Sequence, residues 1–202
     1  MADVVTERAA PAAPAIANPA PLGLCGFALT TFVLSAANAG LFTGSAIVLG
    51  LAFFYGGLAQ LCAGMWEFKT GNTFGATAFT SYGAFWISLA FTLTPFFGGK
   101  SIAELLGANL GSALGIYLLG WTIFTGMMML GTFRANGALI AVFVALFLTF
   151  LFLTIGALGG ASGMTTFGGW LGIITAILAW YTALAAILEH GKVAKLPTFP
   201  IG

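Results

Sequence analysis

Residues 138–158, ALIAVFVALFLTFLFLTIGAL, contain no charged side chain and no proline, and their only polar side chains are two threonines. At about 1.5 Å per helical residue, such a run spans about 30 Å, the thickness of a bilayer's hydrocarbon core. Lipid offers the backbone no hydrogen-bond partners, so only helices and closed barrels cross it. A barrel strand alternates apolar and polar residues. This run does not alternate, so it predicts a helix. Working outward, further runs of similar length and character lie near 22–41, 46–66, 73–93, 111–132 and 168–188. The expected fold is an all-α polytopic membrane protein with six transmembrane helices.

Composition agrees with this: 60% of the residues are hydrophobic and 5% charged, and the mean hydropathy is +1.06. Those values exclude a soluble globular domain. Arg8, Lys69, Arg134, Lys192 and Lys195 fall in the tails and the even-numbered connections, whereas Lys100 falls on the opposite face. The positive-inside rule then puts both termini in the cytoplasm, and the expected setting is the plasma (inner) membrane. Residues 1–17, rich in Ala and Pro, have no signal-peptide pattern and are expected to form a disordered cytoplasmic tail. Residues 18–190 would form the six-helix domain and 191–202 a cytoplasmic C-terminal tail.

Enzyme chemistry finds little support. Cys25 and Cys62 lack metal-binding spacing, His190 is the single histidine, and no Ser or Cys nucleophile has an evident base. No metal, cofactor or enzymatic activity is expected.

The chain carries a weak internal repeat. Asn18, Asn72 and Asn136 precede the odd-numbered helices, and each even-numbered helix carries a Leu-Gly pair: Leu49-Gly50, Leu114-Gly115 and Leu171-Gly172. Glu67, Thr132 and Glu189 stand seventeen positions beyond those glycines. Three helical hairpins in one orientation imply a pseudo-threefold axis along the membrane normal. Each Asn can cap its helix, and Pro19 and Pro21 fit a first turn, where no intrahelical N–H bond is lost. Three positive helix ends at one vestibule would hold a small carboxylate; alternatively, each Asn caps its helix and faces water.

Nine or ten residues inward stand Phe27, Tyr82 and Leu146. At about 14 to 15 Å they reach mid-membrane, where they either close the axis or serve ordinary packing. Gln60 and Thr80 are the candidate substrate contacts, chosen from a set that also includes Thr30, Thr31, Ser81 and Thr125. Hydroxyls of this kind also bond to their own helix. Glu67 and Glu189 are expected as interfacial partners of Lys69 and Lys192. With no ionisable residue at mid-depth, a transported acid can carry its own proton; the alternative is a channel for the anion.

The motif NPAPLGL (18–24) resembles the signature of the acetate uptake transporters, also called succinate-acetate permeases. The resemblance continues through FYGGLAQ (54–60), GNTFGATAFTSYGAFW (71–86), Gly131-Thr132 and GGWLG (168–172). It implies six helices per protomer, a homo-hexamer, and transport of acetate and, in some members, succinate, by symport or as an anion channel. It also implies a hydrophobic constriction at the positions aligning with Phe27, Tyr82 and Leu146. Segment 94–111 and the helix after Arg134 match more loosely. Two other readings remain: a pore for small neutral solutes such as water or ammonia, and a membrane scaffold that transports nothing.

Overall fold

The computed structural model describes residues 16–96 and 98–201. The expected tail over 1–17 therefore lies outside the described residues, save for Ile16 and Ala17. Six long helices follow: α1 (Ala20–Asn38), α2 (Ser45–Thr70), α3 (Thr73–Leu93), α4 (Leu110–Gly131), α5 (Gly137–Gly159) and α6 (Ser162–His190). A short helix, Ile102–Leu106, with Ser101 and Glu104 in a reciprocal capping box, joins α3 to α4. The largest departure from the hydropathy reading is α6, which starts at Ser162 rather than near 168. Ser162, Thr165 and Thr166 dilute the hydropathy of its first turns but leave the helical backbone intact.

Five of the six helices are long and apolar enough to cross a membrane; α3 is the exception. Its composition supplies the reason: Thr73, Thr77, Thr80, Ser81, Ser88 and Thr92 lower its hydropathy, and none of them is among the ten of its 21 residues that are buried.

Helix α6 packs along both α1 and α5, α5 along α4, and α2 along α3 and α1. Helices α3 and α4 keep their backbones apart and join through side chains. Tyr82 Oη lies 3.0 Å from Thr125 Oγ1, Tyr117 Oη donates to the Phe85 carbonyl at 3.1 Å, and the Phe85 and Trp121 rings meet edge-on at 5.1 Å. Small residues set the close crossings. A Cβ on Gly169 would stand 2.7 Å from the Asn38 carbonyl carbon of α1, and Gly168 faces Leu153 of α5 at 3.1 Å. Gly115 likewise meets Leu158 of α5. These glycines serve packing within the protomer.

Helix α2 is not uniform. After a 3-10 turn and an α-helical segment it widens into a π-helix over Phe54–Ala59, then returns to α-helix at Gln60. The widening comes where α2 presses on α1: a Cβ on Gly26 would stand 3.2 Å from the Tyr55 carbonyl carbon, and one on Gly56 would stand 2.7 Å from Thr30 Cβ. Such turns recur at functional sites. Here the π-turn immediately precedes the polar side chain that enters the cavity described next.

Candidate functional site

A cavity of about 270 Å³ opens among the N-terminal ends of α1, α3 and α5 and the C-terminal end of α6. Its wall runs down α3 from Asn72 to Tyr82 and down α5 from Asn136 to Leu146; on α1 it runs from Ala20 to Phe27. Ten residues of helix cover about 15 Å, which is the distance from the mouth to the inner end. Phe27, Tyr82 and Leu146 form that end together, each 5% exposed or less. The Phe27 and Tyr82 rings stand 5.8 Å apart, and Tyr82 also packs against Trp121, Phe124 and Phe143. Its hydroxyl points sideways to Thr125 on α4, leaving ring rather than oxygen toward the inner end of the cavity.

Gln60 also lines the cavity. It is 1% exposed, and its Oε1 has no hydrogen-bond partner among the described residues. A buried amide oxygen left unpaired costs free energy, which a bound protonated acid or water would recover. Thr80 is not in the wall; it packs against Gly64 of α2, with its Oγ1 unpartnered. Thr30 bonds to its own helix at Gly26.

The three asparagines divide. Asn72 Oδ1 accepts from Gly75 N at 3.0 Å and Asn136 Oδ1 from Leu139 N at 2.9 Å, and both line the cavity mouth. Asn18 stands one residue before the cap position, which Pro19 occupies; its Oδ1 accepts from Ala20 N at 3.0 Å, and it lies outside the wall. The first amides of α5 have partners too: Gly137 N donates to the Phe199 carbonyl at 2.8 Å and Ala138 N to that of Thr198 at 3.2 Å. The N-terminal ends of α3 and α5 thus stand at the mouth beside the C-terminal end of α6, with these N–H groups of α5 already bonded.

The two glutamates depart from the sequence expectation. Glu67 does not pair with Lys69. It turns inward to 2% exposure, accepting from Asn72 Nδ2 at 2.8 Å and Thr70 Oγ1 at 3.3 Å. Gly71, at φ 79°, makes the tight α2–α3 turn that brings Asn72 back over it. Glu189 lines the mouth and pairs with Lys195 at 3.8 Å instead of Lys192. The sequence reading missed Thr182 and Thr198 as wall residues. Thr198 gave no signal, because it reaches the site through a fold-back of the C-terminal segment. Among the described residues no group of His, Cys, Asp or Glu has metal-binding geometry.

A model of the GPR1/FUN34/yaaH family matches residues 3–201. The chain is 49% identical over 85% of its length to the Ammonia transport outward protein 2 of Saccharomyces cerevisiae, and spans 61% of that relative's length. It is 44% identical over 87% of its length to the Succinate-acetate/proton symporter SatP of Escherichia coli, spanning 90% of it. Among solved structures it resembles the bacterial acetate channel SatP with a TM-score of 0.79 and 40% identity, covering 93% of this chain and 100% of that one.

Proposed function

We propose, from the premise that this chain belongs to the GPR1/FUN34/yaaH family, that it carries short carboxylates across a membrane, acetate first and succinate second. The observation that carries this reading is the cavity: capped helix N-termini at Asn72 and Asn136 ring its mouth, Gln60 offers an unpaired amide, and Phe27, Tyr82 and Leu146 close its inner end. Helix dipoles draw an anion to the mouth. The apolar neck then favours the neutral acid, because stripping a bare carboxylate of water costs far more than stripping the protonated form. The relatives named as a succinate-acetate/proton symporter and an acetate channel support both substrate and route. Asn18 contributes to the same field at the α1 end, and Thr80 supports α2 rather than touching substrate.

In this reading the helices form three parallel hairpins about a pseudo-threefold axis, and the protomers assemble as a homo-hexamer in the plasma membrane. Both termini face the cytoplasm, flanking an 18–190 transport domain. The chain performs no enzymatic step. Outward apolar side chains such as Phe54, Ile116 and Met127, each more than 60% exposed in the single chain, suit lipid or a neighbouring protomer.

A second reading has an observation of its own. A neck without Asp, Glu, His, Lys or Arg also suits ammonia, and one relative is named for outward ammonia transport. Proteoliposomes loaded with the purified protein separate the two. The carboxylate reading predicts radiolabelled acetate uptake above that of empty vesicles, competed by succinate. Ammonia flux with no acetate uptake would favour the neutral pore, and no flux of either would favour a scaffold.

A further inference from the structure

A path for carboxylates has a carboxylate in its wall. Among the described cavity-lining residues, Glu189 is the only one with a formal charge, and it stands at the mouth, on the last turn of α6. Glu67 lies behind Gly75 and outside the wall, bonded to Asn72 and Thr70. Left alone, the Glu189 charge would oppose the helix dipoles that draw an anion inward.

The C-terminal segment supplies what offsets it. After Gly191 the chain turns at Lys192, φ 53°, and runs back over the mouth. Tyr181 Oη of α6 donates to the Pro197 carbonyl at 2.7 Å. The next two carbonyls, of Thr198 and Phe199, accept from the first amides of α5, and Thr198 itself joins the cavity wall. The segment is thus tied to helices on two sides of the opening. Lys195, two residues before the first tie, has its Nζ 3.8 Å from Glu189 Oε1.

We propose that Lys195 is a charge-compensating residue of the carboxylate path, held beside the mouth by the C-terminal strap so that its ammonium cancels the Glu189 charge for an arriving anion. The inference rests on the carboxylate reading above. An ion pair this exposed, with side chains 83% and 64% accessible, adds little to stability. Its effect lies in the local field, which sets how often an anion reaches the mouth.

Radiolabelled acetate uptake by proteoliposomes at low ionic strength tests this, with Lys195→Gln, Glu189→Gln and the double variant compared with the native chain. Lys195→Gln should raise the apparent KM for acetate about threefold with little change in maximal rate, as expected for one uncompensated charge several ångströms away through water. The double variant should return KM to near the native value, and added salt should shrink the difference. An unchanged KM in Lys195→Gln, or a double variant no better than the single, would overturn the assignment while native uptake persists. Absent native uptake would instead overturn the carboxylate reading beneath it. Tyr181→Phe, which loosens the strap without altering charge, should shift KM in the same direction as Lys195→Gln; no shift in a well-folded protein would count against the strap as the device that holds the lysine.

Discussion

Tyr82 turns its ring to the inner end of the cavity and its hydroxyl to α4, and the two contacts separate by substitution. Thr125 is fully buried, and its Oγ1 has the Tyr82 oxygen as its partner. Tyr82→Phe should therefore lower stability by about 1–3 kcal/mol, the range for a buried hydroxyl left unpaired, as read from thermal unfolding in detergent. Because the bulk of the ring stays, the ratio of lactate to acetate uptake should not change. A fall in acetate rate at unchanged stability would instead mark the hydroxyl as a substrate contact. That Phe27, Tyr82 and Leu146 stand at one level of a shared cavity was legible from counting along three helices, since rise per residue is fixed. The partner of the Tyr82 hydroxyl was not, because which side of a helix faces which neighbour depends on packing that spacing alone does not encode. Glu67 illustrates the same limit: beside Lys69 in sequence, it finds Asn72 across a turn.

At the scale of elements, hydropathy located the helices wherever their composition is apolar and lost definition where Ser and Thr dilute it. It shortened α6 at its Ser- and Thr-containing start and gave no sign of the π-turn in α2, whose FYGGLA composition reads as continuous helix. The C-terminal strap was equally silent, since its ties are backbone carbonyls that any residue possesses. Glycine contacts give the helix packing a direct test. A Cβ at Gly169 would press on the backbone of α1 at Asn38 and Ala39, whereas one at Gly120 on α4 would meet nothing within 4 Å. Gly169→Ala should thus cost about 1–3 kcal/mol as overpacking against a backbone that cannot rotate away. Gly120→Ala should be neutral or stabilising by up to about 1 kcal/mol through helix propensity. Thermal unfolding of the two variants side by side checks both, and equal melting temperatures would contradict the α1–α6 crossing described here.

For the whole molecule, the cavity presents Asn72, Asn136 and Glu189 at its mouth, the unpaired Gln60 oxygen in its wall and apolar closure by Phe27, Tyr82 and Leu146 at its inner end, and the proposed path runs through all three. In the proposed path a solute would have to pass Phe27, Tyr82 and Leu146, so the dimensions of that end of the cavity would decide selectivity. Leu146 supplies the α5 share of that closure. Shortening it removes wall without removing charge. Apolar walls discriminate a methylene-sized difference by about 1–3 kcal/mol, so the change should relax selectivity rather than switch it. The most direct measurement is the ratio of lactate to acetate uptake in proteoliposomes for native protein and for Leu146→Ala of verified fold. The account predicts a rise of about tenfold or more in that ratio, within the span of that discrimination. An unchanged ratio with acetate uptake retained would put the selectivity barrier elsewhere and return Phe27, Tyr82 and Leu146 to ordinary packing.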